Sequence, residues 1–125
     1  MYLLDTHALV WAVSAPEELP LRVRDILAAG EVTTSVVSYW ELTLKKGRKT
    51  AAVLQPAEWW DRYVTRRSVD VLPVRVAHAA QLDSLPGWHR DPFDRMLVAQ
   101  ARAEPLRLLT ADRTVVAYGE GVELV

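Results

Sequence analysis

Four acidic side chains, Asp5, Glu41, Asp94 and Asp112, stand where they could act together on one ligand. Asp5 ends a short apolar run, Tyr2 to Leu4, and Asp112 follows Leu108-Leu109-Thr110, an apolar strand ending in Thr-Ala-Asp. Ligands of open α/β sheets gather at the carboxyl ends of strands, so both acids would border such a crevice. Glu41 lies in a helical stretch and shares a face with Val37 and Leu44, which points it toward the core. Asp94 sits at the third helical position after Asp91-Pro92, an N-cap followed by a first-turn proline, and tops the apolar stripe of Leu97, Val98 and Ala101.

Each acid also has a simpler role open to it. Asp5 or Thr6 could cap the segment that follows, and Asp112 could cap Arg113 to Ala117. Glu41 could complete a capping box with Ser38 or pair with Lys45, and Asp94 suits the helix dipole. Recurrence of four acids in comparable places favours chemistry over four separate caps. Carboxylates converging in one crevice raise each other's pKa, and such a cluster persists when a cation resides in it. All-oxygen ligation suits Mg²⁺ or Mn²⁺ rather than Zn²⁺. Without a nucleophilic side chain, such a site implies metal-activated water attacking a phosphodiester, with one ion or two.

The elements that must hold these acids are short. The pattern predicts strands at Tyr2 to Leu4, Val32 to Thr34, Val69 to Pro73, Leu106 to Leu109 and Val122 to Leu124. Helices are predicted over Thr6 to Val13, Leu21 to Ala29, Ser35 to Lys46, Pro56 to Arg67, Val76 to Leu82, Pro92 to Ala103 and Asp112 to Ala117. Strands alternating with helices imply βαβ units, right-handed crossovers and a parallel sheet covered on both faces. No internal repeat or long linker interrupts the pattern, so residues 1–125 read as a single domain.

Composition narrows the function. Half of the 125 residues are hydrophobic, enough for a sizeable core. With 15 basic and 16 acidic side chains the formal net charge is −1, which gives no global footprint for nucleic acid. A polyanion would have to be held by a local patch or through metal ions. The absence of cysteine excludes disulfides, thiolate metal sites and a cysteine nucleophile. Asp5 and His7 interrupt the first apolar run, so no secretory signal is read there, and a cytoplasmic protein is the expectation.

Four blocks then carry a resemblance. Leu3-Leu4-Asp5-Thr6-His7-Ala8, Ser38-Tyr39-Trp40-Glu41-Leu42, the stretch His89-Arg90-Asp91-Pro92-Phe93-Asp94-Arg95-Met96-Leu97-Val98-Ala99-Gln100-Ala101, and Leu109-Thr110-Ala111-Asp112-Arg113 resemble the signature blocks of PIN domains, and more narrowly those of VapC-type toxins. They occur in the family order and span the chain from Leu3 to Arg113. The resemblance implies a three-layer α/β/α, Rossmann-like PIN fold with a five-stranded parallel sheet. It implies a metal-dependent endoribonuclease, with Asp5, Glu41, Asp94 and Asp112 holding Mg²⁺ or Mn²⁺ and Thr6 assisting at the metal. It further implies a homodimer and a cognate VapB-type antitoxin that covers the active site and often inserts an arginine among the acids. The alternative function is a non-catalytic RNA- or protein-binding module of the same fold. A phosphatase of the haloacid dehalogenase type would want an aspartate where this chain has His7, and a receiver domain would want paired acids that are absent here.

Three further groups complete the reading. Arg95 and Arg113 each follow an acid of the quartet and are candidates for touching substrate, whereas His89 suits an ordinary surface or capping role. Lys45, Lys46, Arg48 and Lys49 form a dense basic patch that suits a solvated helix end and could alternatively meet phosphates. Trp11, Trp40, Trp59, Trp60 and Trp88 are too many for one small core to hide, which suggests an apolar groove for a partner.

Overall fold

The computed structural model describes residues 1–87 and 89–125. Five strands, β1 (Tyr2–Leu4), β2 (Val32–Ser35), β3 (Asp70–Leu72), β4 (Arg107–Thr110) and β5 (Val122–Leu124), form one sheet in the order β3-β2-β1-β4-β5. Every neighbouring pair is parallel, as the alternation of strands and helices implies. The helices are α1 (Thr6–Ser14), α2 (Leu21–Ala28), α3 (Val36–Leu44), α4 (Pro56–Trp60), α5 (Val76–Gln81), α6 (Pro92–Ala103) and α7 (Arg113–Val116).

The central strands show how two adjacent leucines build opposite layers. β1 and β4 are in register, Leu3 beside Leu108 and Leu4 beside Leu109. Successive strand side chains point to opposite faces. Leu3 and Leu108 therefore pack with Leu97, Val98 and Phe93 of α6, while Leu4 and Leu109 pack with Leu9 of α1, Val23 of α2 and Trp60 of α4. All four leucines are at most 1% exposed, and each contributes about 2 kcal/mol of apolar burial. Burial on both faces explains the adjacent leucine pairs Leu3-Leu4 and Leu108-Leu109.

Helix starts follow their capping residues. Ser35 accepts from the Val37 amide to open α3, so the cap lies at Ser35 and the Ser38–Glu41 capping box does not form. Asp91 accepts from the amides of Phe93 and Asp94 at 2.9 and 3.1 Å, with Pro92 in the first turn of α6. The single helix expected over Pro56 to Arg67 instead changes pitch after Trp60. Asp61–Thr65 forms a wider turn in which the Arg66 amide reaches back five residues to the Asp61 carbonyl. α3 also stops at Leu44, earlier than expected, and Gly47 follows at φ +82°. Leu44 at this end is 53% exposed, so the buried face of α3 is Val37, Ser38, Glu41 and Leu42 rather than one containing Leu44.

Among the described tryptophans, Trp60 is buried, Trp11 and Trp59 are partly buried, and Trp40 is 55% exposed. Trp88 lies outside the described residues. Among the described residues, no helix is long and apolar enough to cross a membrane.

Candidate active site

The carboxyl ends of β1 and β4 meet side by side in the middle of the sheet. There the structure opens a cleft of about 550 Å³ whose lining includes Asp5, Thr6, Glu41, Asp94, Asp112 and Arg113. Asp5 stands directly after β1, where its amide donates to the Leu109 carbonyl of β4. Its carboxylate is 5% exposed and accepts three hydrogen bonds: from the Ala8 amide (2.7 Å), the Thr110 hydroxyl (2.6 Å) and the Ala111 amide (3.0 Å). It therefore caps α1 and faces the cleft at once. Burial pushes its pKa up, against the lowering effect of Thr110, Ala8, Ala111 and the nearby His7.

Glu41 enters from α3. The Thr6 hydroxyl donates to its Oε1 at 2.6 Å and also lies 3.0 Å from the Ser38 oxygen. Lys45, one turn along α3, stands 2.5 Å from Oε2. Glu41 thus makes the helical ion pair available to it, but it makes that pair inside the cleft, which Lys45 also lines.

Asp94 enters from the first turn of α6 above buried Leu97, Val98 and Ala101. Its Oδ2 lies 3.1 Å from His89 Nε2. Burial pushes its pKa up to about 6, the His89 contact opposes this, and the negative charges of Asp91, Asp5 and Glu41 add to the rise. The acids of three separate elements are thus within one another's fields.

Asp112 is the most exposed of the four. It caps α7 through the Thr114 amide (2.8 Å) and hydroxyl (2.7 Å), which hold its pKa below the usual carboxylate range. The capping role and a place on the cleft coexist here.

The arginines separate. Arg113 lines the cleft and is exposed. Arg95 is not among the cleft-lining residues. Its guanidinium donates to the carbonyl of Pro86 (2.5 Å) and to the Tyr118 hydroxyl (3.3 Å), so it ties the loop before α6 to the region after α7. His89, read as an ordinary loop residue, joins this arrangement through Asp94 and an edge contact with Tyr118, ring centroids 5.8 Å apart. Residues that sequence reasoning passed over include Thr110, which is fully buried against Asp5, and His7, which lines the cleft. Thr110 carried a readable signal, a hydroxyl at the end of an apolar strand two residues before an acid.

The donor set is all oxygen and hard, which fits Mg²⁺ or Mn²⁺. Burial is the chief cause of the raised pKa of both Asp5 and Asp94, and at Asp94 the neighbouring carboxylates add to it. As the side chains stand, no three acidic or imidazole groups among the described residues close around one point. Each instead keeps local partners: Asp5 is held by Thr110 and Ala111, Glu41 by Thr6 and Lys45, and Asp112 by Thr114.

Comparison with known proteins gives this cleft a family. The PIN domain model matches residues 2–120. The chain belongs to the PIN domain family. A relative, Ribonuclease VapC22 of Mycobacterium tuberculosis (strain ATCC 25618 / H37Rv), is 30% identical over 115 residues, which cover 89% of this chain and 86% of that protein. Among solved structures, the DNA-bound VapBC of Salmonella typhimurium matches this PIN domain with a TM-score of 0.72 at 16% identity, covering 99% of this chain and 96% of that one. VapBC2 of Rickettsia felis, bound to a DNA fragment from its promoter, gives 0.64 at 12% identity, covering 99% and 96%. A toxin–antitoxin complex from Klebsiella pneumoniae gives 0.63 at 17% identity, covering 98% and 96%. At these identities the structural likeness shows the PIN fold alone.

Proposed function

We propose that this PIN domain is a divalent-metal-dependent endoribonuclease and acts as the toxin of a toxin–antitoxin pair. The observation that carries the reading is the placement of Asp5, Glu41, Asp94 and Asp112 on one cleft at the paired ends of β1 and β4. The ribonuclease named among its relatives and the VapBC complexes among its structural neighbours support it. Asp5, Glu41, Asp94 and Asp112 would hold Mg²⁺ or Mn²⁺. Such an ion would supply neutralisation of phosphate charge and activation of water as the nucleophile.

The remaining residues keep those acids in place. Thr110 and the Ala111 amide orient Asp5, Thr6 and Ser38 orient Glu41, and Asp91 and His89 orient Asp94. Arg113, exposed at the rim, is positioned to meet a phosphate of the RNA. The reading includes a cytoplasmic setting, a homodimer, and a VapB-type antitoxin laid over the cleft, which is where an inserted arginine would meet the acids. Sedimentation of the protein alone and with its antitoxin tests those assemblies.

The test of the chemistry is cleavage of total cellular RNA by the wild type and Asp94→Asn, with Mg²⁺, Mn²⁺ or EDTA, followed by sequencing of the new 5′ ends. Discrete cuts requiring both the metal and Asp94 are expected. Cuts that persist in EDTA or in Asp94→Asn, with contaminating nuclease excluded, would overturn the reading. Failure of metal-loaded, antitoxin-free protein to cut any RNA would leave a binding module of the same fold.

A further inference from the structure

Glu41 is the acid of the cleft whose two oxygens are both committed to side chains of this chain. Thr6 donates to one at 2.6 Å, and the Lys45 ammonium stands 2.5 Å from the other. The two partners differ in kind. Thr6 is buried and lies in a fixed pocket beside Ser38, whereas the Lys45 side chain is 38% exposed against 12% for Glu41. Glu41 is thus the more buried member of the pair and Lys45 the more exposed one. A lysine side chain ends in a compact point charge on a flexible four-carbon stem, able to leave toward solvent without disturbing the helix.

Two features make Lys45 a natural resident there. Its spacing from Glu41, acid first and base one turn later, is the favourable orientation for a helical pair. Lys45 is also the C-cap residue of α3, where the helix dipole favours a cation. The neighbouring acids sharpen the attraction, because Lys45 lines the same cleft as Asp5, Asp94 and Asp112. A cluster of acids without an ion is unstable electrostatically, and an ammonium supplied by the chain itself relieves it.

We propose that Lys45 is the internal counter-ion of the metal-free site: it occupies Glu41 until a divalent cation displaces it, and so sets the metal affinity of the cleft. This deepens the reading of the cleft as a metal site and rests on it. Displacement swaps one ion pair for coordination and frees Lys45 to swing outward, while Thr6 keeps its hydrogen bond to the opposite oxygen of Glu41. Lys45 is thereby a positioning residue, acting through Glu41.

The experiment is direct titration of the full-length chain with Mn²⁺, read by the electron paramagnetic resonance of free ion and by calorimetry. Lys45→Met is expected to bind Mn²⁺ about tenfold tighter than the wild type, the scale of a lost charge-assisted hydrogen bond. Lys46→Met, which removes an equal charge from an exposed neighbour, is expected to stay within about twofold. Lys45→Gln serves beside Lys45→Met should the apolar variant fold poorly, as judged by circular dichroism. A thermodynamic cycle then separates displacement from simple repulsion. Glu41→Gln should cost more Mn²⁺ affinity in the Lys45→Met background than in the wild type, because Glu41 is unmasked there. Equal affinities for Lys45→Met and Lys46→Met, or an equal cost of Glu41→Gln in both backgrounds, would overturn the proposal. Absence of Mn²⁺ binding in every variant would instead remove the metal-site reading beneath it, whereas binding regained only in Lys45→Met would support the proposal strongly.

Discussion

Burial of Asp94 disfavours its ionised form, the negative charges of Asp91, Asp5 and Glu41 add to this, and the His89 contact opposes it. Its folded pKa of about 6 lies above the ordinary value of 3.8, so folding disfavours its ionised form. The resulting destabilisation is fully present above pH 6, fades as pH falls through 6, and is gone below 3.8. Asp5, raised by burial, acts in the same direction, whereas Asp112 and Glu123, both lowered, lose stability only at more acidic pH. Urea denaturation of metal-free protein is therefore expected to show greater stability at pH 5 than at pH 7. Asp94→Asn should stabilise the metal-free protein by on the order of 1 kcal/mol near neutrality, with the gain shrinking at pH 5, while abolishing cleavage. Equal stability of the two proteins at neutral pH would show that His89 fully offsets the crowding. The placement of Asp5, Asp94 and Asp112 on one cleft was legible because each follows a strand or tops an apolar helical stripe, whereas Glu41 was read on a face that the exposed Leu44 does not share. The place of Lys45 was not, since a pair four residues apart reads the same on a solvated helix as in a cleft. Nor were the contacts of Arg95 with Pro86 and Tyr118, since adjacency to an acid says nothing of where a long side chain reaches.

At the scale of elements, the start of α6 is where local chemistry fixes the site most directly. Asp91 holds the amides of Phe93 and Asp94, and Arg95 ties the preceding loop through the Pro86 carbonyl. Asp91→Ala is expected to cost about 1 kcal/mol of stability, read as a lower urea midpoint. Arg95→Met should leave α6 intact by circular dichroism yet lower cleavage, through a loosened loop carrying His89. A fall in Mn²⁺ affinity alongside would show that the loop positions Asp94, and unchanged cleavage would show that it does not. Starts of helices were legible because caps and prolines announce them. The widened turn at Asp61–Thr65 was not, because helical spacing in the sequence is satisfied by either pitch, and packing of Trp60 and Val64 into the same core decides between them.

The molecule as a whole rests on two apolar layers that share one thin sheet. Leu97→Ala, at a fully buried position beneath Asp94, is expected to cost about 3 kcal/mol with little change in the urea m-value. The alternation of elements made the parallel sheet legible. The order β3-β2-β1-β4-β5 needed long-range packing, which connection lengths alone do not dictate. That order has a consequence for how the protein could be divided. The loop at Pro86-Gly87 separates Asp5 and Glu41 from Asp94 and Asp112, and β1 from its partner β4. A chain severed there would yield two pieces, each with half of the quartet and an unpaired edge of the same sheet. The cleft would reform only on reunion, so the cut would turn the domain into a reporter of proximity between whatever the two pieces are fused to.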